Sequence, residues 1–420
     1  MKVEKYRLNK IADILAGGTP STKNEEYWNG DIPWLSVKDL GNTNKWVSET
    51  EKKITELGFN NCPSSMLNKG DLILSARGTV GKVAMVDKDM AFNQSCFGLR
   101  ANKTIITQDY LFYWFENNQQ IFKSAQQGNV FKSVTLDFFD KTEAVIPSVS
   151  EQQKIAAVLS TLDDKIALNR RMNAKLEQMA KRLYDHWFVQ FDFPNADGKP
   201  YKASGGKMVW NEVLKREIPA GWEVKSVNDI STSYRGVGYT ADDEKSAEDN
   251  DVVLILRGNN ISNNHIIYDG NTVYLDKSFV SEEQKIHKYD FVMTMSSGSK
   301  EHVGKSAMFL FDSPHSYGAF CNKITPAKDC QFFLENYLHS EYFKKYIQIT
   351  CSGTGINNLT NEHFDKAFFS FPNNEVLESF NQKINPIYAQ IGVLEKENLR
   401  LTALRDRLLP LLMNGQVEVK

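Results

Sequence analysis

QQGNVFKSVTLDFF, beginning at Gln126, has a counterpart in CSGTGINNLTNEHF, beginning at Cys351. These stretches head two longer matching segments, 126–183 and 351–408. The offset holds along them: Gly353 minus Gly128 is 225, and Leu408 minus Leu183 is 225. Thr135 answers to Thr360, Phe139 to Phe364, Pro147 to Pro372, Ile166 to Ile391, Asn173 to Asn398 and Leu176 to Leu401. Solenoid repeats recur roughly every 20–50 residues, so this period is that of a whole domain with a helix attached. A chain built as two similar halves is built to touch two similar things, or one thing in two places.

Four segments follow from the match. The first, 1–148, mixes short β-type runs with turns, as in Ile32–Val37 and Asp71–Ser75, and then shows a helical pattern over Asp109–Phe115 that continues toward Phe122. The third, 217–373, repeats that plan. Trp222, Val224, Val227 and Ile230 mirror Tyr6, Leu8, Ile11 and Ile14; Lys288–Phe291 mirrors Lys69–Leu72; Phe332–Leu338 supplies the matching helix.

The second segment, 149–187, reads as a long helix with a heptad seam. Its apolar or amide positions are Ile155, Leu159, Leu162, Ile166, Asn169, Asn173, Leu176, Ala180, Leu183 and Trp187. The seam is about 34 residues long, so roughly 50 Å. Ser150 with Gln153 reads as its capping box. The fourth segment, 374–420, gives Ile384, Ile387, Ile391, Leu394, Asn398, Leu401, Leu404 and Leu408, closed by Asn414-Gly415. Pro386 should kink this helix or mark its effective start. The two stripes can bury against each other in an antiparallel coiled coil, or each can pack on its own domain. Asn173 and Asn398 hold equivalent seam positions, where a buried amide fixes register; the alternative is a solvated Asn where the helices splay. The joint, 188–216, reads as a crossing connection pinned by Trp187, Phe188 and Trp210.

The expected fold is therefore α+β: two similar domains separated by two long helices, with a pseudo-two-fold relating the halves. Composition allows this, since 420 residues with 41% hydrophobic and 24% charged content suit a multidomain globular chain. No apolar run reaches about 18 residues, so no membrane span is expected. The N-terminus MKVEKYRLNKIADIL lacks a secretory core. Five scattered cysteines without a CxxC pair argue for a reducing cytoplasm and against a zinc site.

Catalytic patterns fail on spacing. Gly298–Ser306 nearly spells a phosphate loop, but G-x-x-x-x-G-K-S ending at Ser306 needs its first Gly at 299, and 299 is Ser. Asn385-Pro386-Ile387-Tyr388 has one proline too few for an adenine methyltransferase motif, and it lies in the seam. The seven histidines show no paired ligand spacing, and no G-x-S-x-G elbow occurs. What remains is binding. Lys38, Arg77, Lys82, Asn93 and Gln94 in the first half, and Arg257, Asn259, Asn260, Lys300, Lys305 and Asn322 in the second, sit in or near turns. Arg and Lys suit guanine O6/N7, while Asn and Gln suit adenine N6/N7. The net charge of −2 confines any phosphate contact to a local basic face. The acidic stretch 242–251 should point away from DNA.

The layout resembles the specificity subunit of type I restriction–modification enzymes. The residues that carry the resemblance are Ile146-Pro147 with Glu151–Ile155, then Asp185–Val189, Ile218–Val224, and Leu404–Leu412 with Gly415. The resemblance implies that each half is a target recognition domain reading one part of a split double-stranded DNA site. It implies that the helices set the unread spacer and dock two methyltransferase subunits, with motor–nuclease subunits added for restriction. S-adenosylmethionine, ATP and Mg would serve those partners, and this chain would hold no cofactor and catalyse nothing itself. The competing reading is a non-catalytic two-domain coiled-coil scaffold that binds only proteins.

Overall fold

The computed structural model describes residues 2–41, 45–122, 134–268, 272–351 and 357–419; Gly128 and Gly353 lie outside the described residues. The chain divides into two units, Met1–Arg170 with Lys396–Lys420, and Arg171–Glu395. Each holds one mixed α+β half and part of two long helices, Val149–Tyr184 and Asn374–Met413.

In the first unit one sheet takes the order Ala12–Ala16, Cys96–Ala101, Leu72–Ser75, Val83–Val86, Trp46–Val47. A second sheet places Trp28–Leu35 between Lys52–Ile54 and Ala91–Phe92. Leu72–Ser75 and Val83–Val86 are buried at every residue, as continuous apolar runs inside a sheet must be. Leu72, Leu74 and Leu99 pack with Tyr110, Leu111, Trp114 and Phe115 of the helix Gln108–Asn117. Thr107 caps that helix by accepting from the Tyr110 N–H at 3.3 Å.

The second unit repeats the plan. One sheet runs Ser231–Arg235, Cys321–Pro326, Phe291–Thr294, Ser306–Met308. The other places Val252–Leu256 between Val273–Asp276 and Ser316–Tyr317. The helix Gln331–Leu338 covers the core through Phe332, Phe333, Leu334 and Tyr337.

The long helices do both things their stripes allow. Ile155, Ala156 and Leu159 join the first unit's core, and Phe380, Ile384, Tyr388 and Ile391 join the second's. Within the first unit the helices also pair antiparallel: Asp163 meets Arg405 at 3.0 Å, Lys165 meets Glu397 at 3.5 Å, and Asn169 meets Asn398 at 3.0 Å. Within the second unit Phe188 and Tyr184 pack on Phe380, with ring centroids 4.7 and 6.5 Å apart. A hairpin, Ile261–Ser262 with His265–Ile266, turns through Asn263 and Asn264 at φ +48° and +65°. It sets His265 between Glu177 at 3.2 Å and Glu395 at 3.3 Å, one carboxylate from each long helix. Hydrogen bonds to these carboxylates push the imidazole up to about 10, so it is a cation at neutral pH.

Four expectations change. The first long helix starts at Val149, and Ser148 accepts from Glu151 N (3.4 Å), so Ser150 and Gln153 both lie inside the helix and do not cap it. Gln152 is the structural amide there: it donates to Pro147 O and Ile105 O and accepts from Thr107 N. Pro386 does not start the second helix, which begins twelve residues earlier at Asn374. Leu404 is 46% exposed, because Arg405 turns inward to reach Asp163. Trp210 is 55% exposed and donates to Glu212 at 2.9 Å. It pairs with exposed Glu217 across the hairpin Met208–Asn211/Arg216–Pro219, so both share its solvent face. Phe193 stacked on Trp222 and Phe191 edge-on to it anchor the connection together with Trp187 and Phe188. At the chain's far end Gly415 takes φ +69°, and the N–H groups of Gly415 and Gln416 return to Leu412 O and Leu411 O, closing the second helix as its glycine implied.

Candidate nucleic-acid interface

The two halves share one loop frame, hydrogen bond for hydrogen bond. Asn93 N donates to Leu35 O at 2.9 Å, and Gly318 N to Leu256 O at 2.9 Å. Ser95 O accepts from Ala76 N and Arg77 N at 2.8 and 3.2 Å; Phe320 O accepts from Met295 N and Ser296 N at 2.8 and 3.3 Å. Gly81 N reaches Ser75 O, and Gly304 N reaches Thr294 O, both glycines lying at positive φ. The near-miss phosphate loop is thus the second half's version of an ordinary glycine turn.

In each half this frame brings three loops to one crevice. They follow the strands Trp28–Leu35, Leu72–Ser75 and Ala91–Phe92 in the first half, and Val252–Leu256, Phe291–Thr294 and Ser316–Tyr317 in the second. The first crevice, about 330 Å³, is lined among others by Ser36, Lys38, Lys52, Arg77, Asn93 and Ser95. The second, about 390 Å³, is lined among others by Arg257, Asn259, Ser296, Ser297, His302 and Phe320. Glycine is required beneath both: a Cβ on Gly17 would lie 2.2 Å from Asn93 O, and one on Gly236 2.2 Å from Gly318 O. The buried Trp34 donates its indole N–H to Gly18 O at 3.0 Å and stiffens the first floor.

The residue types differ on this common frame. Lys38 stands where the second half has Asn259, Arg77 where it has Ser296, and Ser95 where it has Phe320. Lys38 lies 3.8 Å from Glu51, and Lys52 sits over the Trp28 ring at 5.5 Å. Both are exposed cations in weak pairs, able to exchange partners at little cost.

Of the eleven candidates, Lys38, Arg77, Asn93, Arg257 and Asn259 line the crevices. Gln94 is exposed beside Asn93 and accepts from the Thr19 hydroxyl. Lys82 donates to Gly41 O at 2.8 Å, and Lys305 lies 3.2 Å from the His302 ring, both just outside the linings. Lys300 is exposed on the loop before Gly304. Asn260 is fully buried and spends its amide on Arg257 N and Ile267 O, so it shapes the turn and offers a ligand nothing. Asn322 donates to Ser233 Oγ at 2.8 Å, bracing neighbouring strands. The acidic stretch leaves directly from Tyr239, a wall of the second crevice, and its Asp243 and Asp249 accept from Thr240 N and Ser246 N of the same loop. Asn398 pairs with Asn169, which the seam contained but which was not singled out; Asn173 is buried, with its Oδ1 lacking a hydrogen-bond partner. Sequence reasoning passed over Ser36, Ser95, Ser296, Ser297, His302 and Phe320, since only the folded frame brings them to a crevice.

Among the described residues no group of His, Cys, Asp and Glu is arranged to hold a metal, and no helix is long and apolar enough to cross a membrane. All five cysteines are free, and burial pushes the thiols of Cys96 and Cys321 up to about 12.

A family model described as the type I restriction modification DNA specificity domain matches residues 1–178 and again 219–398. The chain is 28% identical over 419 residues to the type I restriction enzyme MjaIX specificity subunit of Methanocaldococcus jannaschii, across 99% of this chain and 93% of that one. It is 25% identical over 407 residues to the HindI specificity subunit of Haemophilus influenzae, across 84% and 87% of the two chains. A crystal structure of a type I restriction–modification S subunit from M. genitalium shares the fold, with a TM-score of 0.54 at 14% identity over 98% of this chain and 96% of that one.

Proposed function

This chain belongs to the family of type I restriction modification DNA specificity domains and carries the domain twice, and on that premise we propose that each copy reads one half of a split DNA target through its crevice. The observation that carries this reading is one backbone frame, repeated in both halves, holding different side chains. A shared frame fixes how a loop meets the duplex; the side chains on it set which bases are accepted. A scaffold that bound proteins alone would have no need of two matched crevices with cationic and amide linings.

In this reading the recognition domains are 1–148 and 217–373, and the helices 149–187 and 374–420 set the unread spacer and dock two methyltransferase subunits. Segment 188–216 joins the halves. Motor–nuclease subunits complete the restriction enzyme. The chain itself is non-catalytic, and S-adenosylmethionine, ATP and Mg serve the partner subunits. The assembly works on DNA in the cytoplasm. Lys38, Arg77, Asn93, Arg257 and Asn259 face bases or the adjoining phosphates, and Lys82, Gln94, Lys300 and Lys305 flank them along the backbone.

The test is to purify the chain with its methyltransferase subunits and map methylated adenines across a genome. A bipartite motif with a fixed gap is expected, with affinity that falls steeply as salt rises, because phosphate neutralisation releases counterions. Methylation without sequence preference, or an affinity flat from low to moderate salt, overturns the proposal.

A further inference from the structure

We propose that Phe320 is a specificity-determining residue that reads the 5-methyl group of a thymine, so that the two crevices accept chemically different base pairs. The inference rests on the bipartite reading above and adds which base chemistry each half selects.

Phe320 is 70% exposed, yet its backbone is firmly held. Its carbonyl accepts from both Met295 N and Ser296 N, and its chain neighbours Gly318 and Cys321 are tied to Leu256 O and Gly318 O. The ring is therefore an apolar surface carried on a held backbone at the mouth of a crevice. Around it stand Asn259, Ser296 and Ser297, an amide and two hydroxyls, with Arg257 and His302 in the same lining. A thymine differs from every other base in the major groove by its methyl group, and apolar contact is how proteins read it; Asn suits the N6/N7 edge of adenine. Phenyl and amide at one mouth thus match the two edges of an A·T pair.

The same place in the first half is built otherwise. Ser95 replaces Phe320, Arg77 replaces Ser296 and Lys38 replaces Asn259. Two cations at these places, with no exposed phenyl among them, match the two acceptors of guanine. Because the frames agree hydrogen bond for hydrogen bond, the difference lies in the side chains and not in how the loop is presented.

The experiment uses the chain in complex with its methyltransferase subunits and a duplex carrying its mapped target. Each thymine is replaced in turn by uracil, which removes only the methyl, and affinity is read by fluorescence anisotropy. One position should weaken binding about fourfold, which is what one buried methyl is worth. That penalty should vanish in Phe320→Ser, which installs the first half's residue, and persist in Phe320→Leu, which keeps an apolar surface. If the wild type tolerates every uracil, or the penalty survives in Phe320→Ser, or it is lost in Phe320→Leu, the inference is overturned while the bipartite reading stands. If scrambling either half-site leaves affinity unchanged, the bipartite reading itself falls.

Discussion

Asn169 donates its side-chain N–H to the Oδ1 of Asn398 at 3.0 Å, tying the two long helices together within the first unit. The same nitrogen reaches Glu397 Oε2 at 2.7 Å. A fully buried amide bonding across a helix pair penalises every other register, since any slip leaves it unpaired in an apolar seam. Asn169→Ala should therefore lower stability by about 1–3 kcal/mol, read as a lower urea midpoint. An unchanged midpoint would mean that the apolar seam alone sets the pairing.

Six residues before Asn169 and seven after Asn398, the same helices bury a charge cluster. Arg405 bonds Asp163 at 3.0 Å, and Tyr113 donates to the other Asp163 oxygen at 2.6 Å. Burial, opposed by Arg405 and helped by Asp163, pushes the Glu116 carboxyl from 4.5 up to about 7. A carboxyl whose folded value is raised stabilises the fold in its neutral form. That stability is full below about 4.5 and is lost as pH rises through about 7. Glu116→Gln should keep it at every pH, raising stability at pH 8 by up to a few kcal/mol, read as a higher thermal midpoint, with a much smaller effect at pH 5. A wild-type midpoint that does not fall between pH 5 and 8 relative to the variant would contradict this.

The duplication also placed one buried carboxylate twice and neutralised it in two ways. Asp71 closes the turn at Asn68 N and pairs with Arg100 at 2.6 Å; Asp290 closes the turn at His287 N and pairs with Lys323 at 3.7 Å. The Arg100 side chain is 37% exposed, whereas that of Lys323 is 6% exposed. Removing the acid strands a charge in one case and releases it to water in the other. Asp290→Asn should cost about 3–5 kcal/mol, and Asp71→Asn clearly less. Equal losses of thermal midpoint in the two variants would show that burial of the cation is not what matters.

The helices and the two-half plan were legible because a heptad seam and a constant offset survive as plain periodicities. The crevices were not. Leu35 and Leu256 are equivalent at an offset of 221, Ser75 and Thr294 at 219, and Cys96 and Cys321 at 225. The offset slips from segment to segment, so the 225 that brings Ser95 opposite Phe320 does not bring Lys38 opposite Asn259 or Arg77 opposite Ser296. Lys38, Arg77 and Arg257 were visible because charge in a turn is a signal; Ser36 and Ser296 were not, because serine in a turn is ordinary. Asn260 and Asn322 had the right chemistry for a base edge and spend it inside the fold. The Asn169–Asn398 pair follows from antiparallel packing, which a repeat offset, being parallel by construction, does not encode.

Gly17 and Gly236 separate the two crevices experimentally. A methyl on either would sit 2.2 Å from a backbone carbonyl, of Asn93 or of Gly318, and a backbone cannot yield as a side-chain tip can. Gly17→Ala must therefore displace the Asn93–Ser95 loop, and Gly236→Ala the Gly318–Phe320 loop, each without changing any group that lines a crevice. Displacement by even an ångström breaks hydrogen-bond geometry at a base edge, where each matched base pair contributes about 1–3 kcal/mol. The mapped motif should lose definition on one side of the gap in Gly17→Ala and on the other side in Gly236→Ala, with the gap length unchanged because the helices are untouched. A variant that blurred both sides together would show that the crevices do not act as separate readers.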